Sequence, residues 1–243
     1  MVAYNSYQSG TELDSNLFAL LGLLGPFSAA LIVTWTSGNQ NLKRDFKERF
    51  VSLGLINKGY ILITLLLMPF ALFLATWLSV VVGHSADQFR FSRGLVTMLP
   101  IILLAPTFEE LGWRGSGMDS LRSKFGLTKA TLLFALIWAM WHVPLFFIDH
   151  NYQHGLWQMS PIYVVNFFIS VLPAAVLINW LYYKNNRSIV VAILFHMTLV
   201  ATSEAFQTEQ FTKCIVTAVL LVISILVIAG DKTFFFEENK SAV

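Results

Sequence analysis

The segment "LVTMLPIILLAPTFEELGWRG", residues 95–115, decides the fold of this chain. Its first part is an apolar run suited to a membrane helix, and two glutamates and an arginine follow directly. An ionisable side chain inside the hydrocarbon core costs roughly 3 kcal/mol on insertion scales, so such residues generally line an internal cavity. The segment therefore indicates a membrane helix that carries a polar site.

The composition of the whole chain places it in a membrane. Of its 243 residues, 56% are hydrophobic and 12% are charged, and the mean hydropathy is +0.65. These values lie outside the range of soluble globular proteins. We expect an all-α, polytopic membrane helix bundle that forms one integral membrane domain over residues 1–243. Apolar runs predict seven spanning helices, at about 16–36, 60–82, 95–113, 129–148, 161–183, 188–206 and 213–230.

Lysine and arginine are distributed unevenly between the two sides of these spans. The loops after the first, third and fifth spans, together with the C-terminus, hold thirteen of the sixteen basic residues. The positive-inside rule makes this side cytoplasmic, so we expect the N-terminus outside a plasma membrane of bacterial type. The longest segment between spans, "GNQNLKRDFKERFVSLGLINKG", predicts a helix lying on the surface. The thirteen residues are Lys43, Arg44, Lys47, Arg49, Lys58, Arg114, Arg122, Lys124, Lys129, Lys184, Arg187, Lys232 and Lys240; Arg90, Arg93 and Lys213 lie opposite.

Several ionisable residues fall within or at the ends of the predicted spans, and their positions along the chain bring three segments together. The basic link after the third span is expected to turn near Gly126, which places Glu109 and His142 at similar depth on antiparallel neighbours. His196 lies part-way into the sixth span. A shared polar site between three helices is therefore geometrically possible. The candidates are Glu109, Glu110, Arg114, His142, His196 and Glu204.

Helical spacing separates the two adjacent glutamates. Glu110 and Arg114 lie at positions i and i+4 and can form an ion pair, whereas Glu109 points about 100° away. Glu109 is then the freer carboxylate, which suits a general base toward water. An isolated motif of this kind is also typical of a simple salt bridge at a helix end. Histidines in two further spans, one preceded by Trp138 at a spacing of one turn, favour chemistry.

Three motifs, "EELGWRG", "FALIWAMWHVP" and "ILFHMTLV", together resemble the CAAX prenyl protease and bacteriocin-processing family (CPBP, or Abi) of intramembrane proteases. The resemblance covers a catalytic core at about residues 95–205. In that family a Glu-Glu-x-x-x-Arg helix, a Phe-x-x-x-His helix and a His-x-x-x-Asn helix converge on a water. The resemblance implies Glu109 as the base and His142 and His196 as its catalytic partners. It implies supporting roles for Glu110, Arg114 and Trp138.

The chain departs from the family pattern at two positions. Trp138 stands where phenylalanine is usual, which keeps an aromatic side chain. Val200 stands one turn after His196, where asparagine is usual, and valine cannot donate a hydrogen bond to an oxyanion. Losing one such donor typically costs about 10²–10³ in rate. The residues considered as replacements are Thr198, Ser203, Asn166 and Asn179.

Hydrolysis of a peptide bond within the membrane is the leading functional interpretation. The resemblance implies a membrane-associated or lipidated peptide as substrate, with the bilayer as the other partner, and no sequence feature indicates nucleic acid. The first alternative is a catalytically weak or inactive relative that acts as a membrane scaffold or a bacteriocin self-immunity protein. A proton-coupled transporter is the second, because such carriers also bury ionisable residues.

No cofactor is favoured by the sequence. The single cysteine, Cys214, excludes an internal disulfide, and the usual HExxH zinc spacing is absent. A divalent metal such as Zn²⁺ remains an alternative, with Glu109, His142 and His196 as its ligands.

Overall fold

The computed structural model describes residues 11–92, 94–149 and 151–236, with side chains from Leu21 onward. Arg93 and Lys240, which were used to predict orientation, lie outside these ranges. The regular structure here is helical, apart from an isolated antiparallel bridge between Phe91 and Phe206. The α-helices are α1 (Thr11–Thr36), α2 (Gln40–Val51), α3 (Ile61–Val81), α4 (Leu95–Gly112), α5 (Met118–Trp141), α6 (Tyr152–Met159), α7 (Pro161–Lys184), α8 (Ile189–Ala205), α9 (Gln210–Gly230) and α10 (Lys232–Phe236).

The predicted membrane bundle is confirmed. By length and composition, four helical stretches can cross a bilayer: Lys58–Val81, Leu95–Phe147, Pro161–Lys184 and Gln210–Gly230. The second of these contains both α4 and α5, and the apolar helices Leu21–Thr36 and Ile189–Ala205 are shorter. Together they account for the seven predicted spans. The predicted surface helix is present as α2, whereas the short helices α6 and α10 were not anticipated.

The helical path between α4 and α5 is interrupted at two points that shape the site. A π-helical turn, Trp113–Gly117, joins the two helices, and α5 is then broken at Gly126, where φ is 73° and ψ is 171°. Only glycine adopts that conformation without strain, so the turn expected there is confirmed. The α-helical part of α5 ends at Trp141 rather than near residue 148, because Pro144 lacks the N–H that would continue the ladder.

Helix α1 packs unusually close to α4. A Cβ atom at Gly112 would lie 2.3 Å from the carbonyl carbon of Pro26, well inside van der Waals contact. At Gly115, in the π-helical turn, a Cβ would lie 2.6 Å from the ring of Phe46 on α2. The missing side chains therefore let α1 and α2 approach the backbone of the segment that carries the acidic motif.

Helix α8 occupies the middle of the bundle, in contact with α3, α4 and α7. Its buried face includes Ile189, Val191, Ala192, Phe195 and His196. Helix α5 packs on α7 through an apolar cluster that includes Phe134, Trp138 and Val171. This arrangement brings the acidic end of α4, the end of α5 and the middle of α8 together.

Candidate active site

Glu110 and Arg114 form the buried ion pair that their spacing predicts. Glu110 Oε2 lies 2.9 Å from Arg114 Nη1, and neither side chain is exposed. His196 approaches from α8, and its Nδ1 lies 2.9 Å from Glu110 Oε1. Since the paired carboxylate accepts hydrogen bonds, Nδ1 carries the proton, and Nε2 is the ring nitrogen left for a ligand. Glu110 therefore orients His196 as well as neutralising Arg114.

Glu109 is half-buried and is held by the α5 helix. The indole Nε1 of Trp138 donates a hydrogen bond of 2.9 Å to Glu109 Oε2. From the sequence Glu109 was expected to be the freer carboxylate and Trp138 an aromatic residue one turn before His142, and neither expectation included this hydrogen bond. The indole N–H fixes one oxygen of the carboxylate, so the direction of the group is set before any substrate is present.

His142 lies at the end of α5, one turn beyond Trp138. Its Nδ1 lies 2.7 Å from the backbone carbonyl oxygen of Trp138. A carbonyl oxygen only accepts, so Nδ1 carries the proton, and in the neutral ring Nε2 bears a lone pair. The ring packs edge-on against Phe167 of α7, with centroids 5.3 Å apart. His142 is thus held in a defined tautomer with an acceptor nitrogen available.

Trp138 links the three predicted catalytic side chains. Its N–H reaches Glu109, its carbonyl oxygen reaches His142, and its ring packs edge-on against His196 with centroids 5.3 Å apart. His196 also lies within electrostatic range of both glutamates. The structure brings the predicted residues into one cluster through Trp138 and Glu110. Glu204, the remaining candidate, is half-buried near the end of α8.

Arg114 has further partners that the sequence did not reveal. Its Nη2 donates to Asn179 Oδ1 on α7 at 2.9 Å, and the Asn179 amide donates in turn to Thr131 on α5. The guanidinium carbon lies 4.4 Å from the centroid of Phe134, a cation–π distance. Arg114 therefore connects α4, α5 and α7, and it holds Glu110 from one side.

Arg49 is a residue of this region that sequence reasoning missed, because it was counted as a loop-side basic residue. Its side chain enters the bundle from α2 and is only 3% exposed. Nη1 donates to the backbone oxygen of Arg114 at 2.6 Å, and Nη2 donates to that of Gly115 at 2.8 Å. The only local signal is Asp45 one turn earlier, and such a pair is ordinary on an exposed helix.

A cluster of charged side chains lies beside Arg49 and links several helices. Asp119 accepts hydrogen bonds from Tyr182, Tyr183 and Arg187, and Arg187 also binds both oxygens of Asp45. Burial by itself lowers the pKa of Arg187, but its hydrogen bonds to Asp119 and the charge of that carboxylate outweigh burial and raise it. Arg187 therefore stays charged and holds the loop before α8 against α2 and α5.

Of the four residues considered as replacements for the missing third-motif asparagine, two already bind other groups in the structure. Val200 is half-buried on α8, one turn beyond His196. Thr198 is committed to the carbonyl oxygen of Phe195 at 2.7 Å, and Asn179 is committed to Arg114 and Thr131. Ser203 and Asn166, both half-buried, remain as candidate donors.

The alternative metal site finds no support in the geometry. Within the described part of the chain, no three His, Cys, Asp or Glu side chains are grouped closely enough to hold a metal ion. The side chains of Glu109, His142 and His196 are not grouped closely enough to form the ligand set considered above. No step is therefore derived through a metal.

Comparisons with known proteins show the family to which the chain belongs. A family model described as type II CAAX prenyl endopeptidase Rce1-like matches residues 91–202, a range that contains Glu109, Glu110, Arg114, Trp138, His142 and His196. A relative from Methanococcus maripaludis, "CAAX prenyl protease 2", is 41% identical over 242 residues. The alignment covers 97% of this chain and 89% of the relative. The chain belongs to the Rce1-like CAAX prenyl protease family. This membership confirms the resemblance predicted from the sequence. It also supports a protease that is an integral membrane protein.

Proposed function

We propose that this Rce1-like protein is an intramembrane endopeptidase in which Glu109 activates a water molecule. The observation that carries the proposal is the hydrogen bond from Trp138 to Glu109, with His142 held one turn away in a tautomer that leaves Nε2 as an acceptor. A carboxylate and an acceptor imidazole that are both hydrogen-bonded to the same tryptophan can together orient a water and remove its proton. The family match favours this chemistry over the transporter alternative.

In the proposed reaction one proton moves from water through Glu109 to the leaving amine, and a C–O bond replaces the C–N bond. Glu109 takes a proton from water as the water oxygen bonds to the scissile carbonyl carbon, and His142 Nε2 orients that water. The tetrahedral intermediate carries a negative oxygen, which His196 stabilises from Nε2 when its ring is protonated. The oxyanion then re-forms the carbonyl as the C–N bond breaks, and Glu109 gives its proton to the nitrogen of the leaving amine. Glu110 and Arg114 keep His196 in place throughout.

The substrate class follows from the family. The relative is named a CAAX prenyl protease, and the family is described as a prenyl endopeptidase. We propose that this chain cleaves a prenylated peptide near its C-terminus, with the lipid in the bilayer and the peptide at the acidic end of α4. The excess of Lys and Arg beside this end supports a site that faces the cytoplasm, with the N-terminus outside.

A catalytically inactive scaffold or self-immunity protein is the second candidate. Val200 favours it, because an apolar side chain stands where the family pattern places an amide donor. The two candidates differ in whether purified protein turns over substrate.

The decisive experiment uses the full chain reconstituted in liposomes with a farnesylated peptide ending in a CAAX sequence. Mass spectrometry would detect the C-terminal fragment. We expect the wild type to release it and Glu109→Gln to release none, while both accumulate equally in the membrane. Equal release by both proteins contradicts the proposed role of Glu109. Absence of release from the wild type favours the scaffold.

A further inference from the structure

The Arg49 side chain connects the surface helix α2 to the backbone beneath the site. Its two terminal nitrogens donate to the carbonyl oxygens of Arg114 and Gly115, two consecutive residues of the π-helical turn. The guanidinium is planar and presents its donors in a fixed fork, so two contacts of this kind define the position of the acceptor backbone. Arg49 thus holds the residue whose side chain binds Glu110.

A π-helical turn has a particular need for such donors. The i→i+4 ladder gives way to i→i+5 bonds there, and the change of register can leave a carbonyl group without a backbone donor. A buried carbonyl without a donor costs free energy comparable to a lost hydrogen bond. Arg49 supplies that hydrogen bonding from a separate helix, and the phenol of Tyr182 lies 3.2 Å from the same Arg114 oxygen.

Packing keeps Arg49 in register with the turn. Phe46, one turn before Arg49 on α2, lies against Gly115, where any Cβ would overlap its ring. The two side chains are the buried residues of α2. The apolar contact fixes where α2 sits, and the guanidinium then reaches the carbonyl oxygens.

The buried charge of Arg49 is compensated locally. Its Nε lies 2.8 Å from Asp45, and Nη1 lies 3.3 Å from Asp119. Arg187 binds the same two carboxylates but, among the described contacts, reaches neither carbonyl oxygen of the turn. Arg187 is therefore a natural control, because it shares the ion pairs of Arg49 without its backbone contacts.

We propose that Arg49 is a positioning residue for the site. By fixing the carbonyl groups of the π-helical turn it directs the Arg114 guanidinium onto Glu110, and Glu110 then orients His196. The sequence of contacts is Arg49 to the Arg114 backbone, Arg114 to Glu110 at 2.9 Å, and Glu110 to His196 at 2.9 Å. Its catalytic consequence rests on the proposed function, but its geometric consequence does not.

The geometric part is tested by NMR on full-length protein with ¹⁵N-labelled histidine. The His196 Nδ1–H signal is assigned by its loss in His196→Gln. We expect Arg49→Gln to shift or broaden this signal and Arg187→Gln to leave it in place. An unchanged His196 signal in Arg49→Gln overturns the proposal. If Arg49→Gln does not accumulate, Arg49→Lys provides the same comparison, because an ammonium cannot bridge two carbonyl oxygens as the guanidinium does.

The catalytic part is tested by steady-state kinetics in liposomes with the farnesylated peptide. We expect Arg49→Gln to lower kcat about 10- to 100-fold while KM changes less than about threefold, since misplacement of a supporting group typically has an effect of this size. Arg187→Gln should keep kcat within about threefold of wild type, since it leaves the turn bound. Equal losses of kcat in both variants would contradict a positioning role for Arg49 and would indicate that it acts only through the ion pairs it shares with Arg187.

Failure of this inference is distinguishable from failure of the proposed function. Activity retained in Glu109→Gln contradicts the proposed function whatever Arg49 does. Loss of activity in Glu109→Gln together with full kcat in Arg49→Gln contradicts the role of Arg49 alone.

Discussion

Trp138 donates its indole N–H to Glu109 across 2.9 Å, which joins the end of α5 to the acidic motif of α4. The family pattern usually has phenylalanine at this position, and phenylalanine has no donor. The substitution therefore changes chemistry as well as size. In this chain the orientation of Glu109, the proposed base, depends on the indole N–H of Trp138, a donor that the family pattern lacks at this position.

Trp138→Phe should lower kcat about tenfold with little change in KM, because a hydrogen bond to a charged group contributes roughly 1.5–3 kcal/mol. The aromatic packing on Phe134 and the backbone bond to His142 are retained. Peptide cleavage in liposomes measures the effect. Trp141→Phe is the matched control, since Trp141 packs on Trp113 and should leave kcat near the wild-type value. Equal kcat in both variants would remove the proposed role of the indole N–H.

The two glutamates should respond differently to removal of their charge. Glu110→Gln leaves the fully buried Arg114 without its carboxylate, and breaking a buried pair in this way typically costs about 3–5 kcal/mol. We expect a lower unfolding temperature and a lower yield in detergent. Glu109→Gln, at a half-buried position, should unfold close to wild type. Thermal unfolding of both variants that gives equal losses would contradict the distinction.

Val200→Asn should raise turnover if the missing donor limits the rate. Restoring one oxyanion donor is worth at most about 10²–10³ in kcat. Val200→Leu has nearly the same shape as asparagine without a donor, so it separates hydrogen bonding from packing. If Ser203 already supplies the donor, Ser203→Ala should lower the rate instead. A measurable cleavage rate that neither Val200→Asn nor Ser203→Ala alters would exclude oxyanion stabilisation from this face of α8.

Orientation in the membrane is testable by thiol labelling in a Cys214→Ser background. Gly126 itself is a poor position for a cysteine, because its φ of 73° strains any side chain. Lys124 is exposed nearby, so Lys124→Cys should react only after an impermeant reagent gains access to the cytoplasm. Ala86→Cys, exposed in the loop between α3 and α4, should react in intact cells. The reverse pattern would contradict the positive-inside prediction.

Hydropathy and helical spacing predicted those features that depend on one segment at a time. The spans follow from runs of apolar residues, the pair of Glu110 with Arg114 follows from their i,i+4 spacing, and the break at Gly126 follows from a glycine in a basic link. The predicted end of the fourth span near residue 148 matches the helical stretch that ends at Phe147, although its last turn, after Pro144, is not α-helical.

Contacts between helices were not predictable in the same way. From the sequence Arg49 resembles an exposed basic residue, because nothing in α2 shows that its neighbour will be a π-helical turn whose carbonyl oxygens accept its hydrogen bonds. The bond from Trp138 to Glu109 depends on the angle between α4 and α5, which the intervening turn determines. Side-chain partners at long sequence separation follow from tertiary approach rather than from periodicity.

The closeness of α1 and α4 at Gly112 also restricts how a substrate reaches the site. With the Gly112 backbone in direct contact with Pro26, no gap at this depth admits a peptide or a prenyl chain between these two helices. Phe27 and Phe108, whose ring centroids lie 5.4 Å apart, extend this contact between α1 and α4. If Glu109 acts as proposed, lateral access from the lipid to it opens on a side of α4 other than the one that α1 covers.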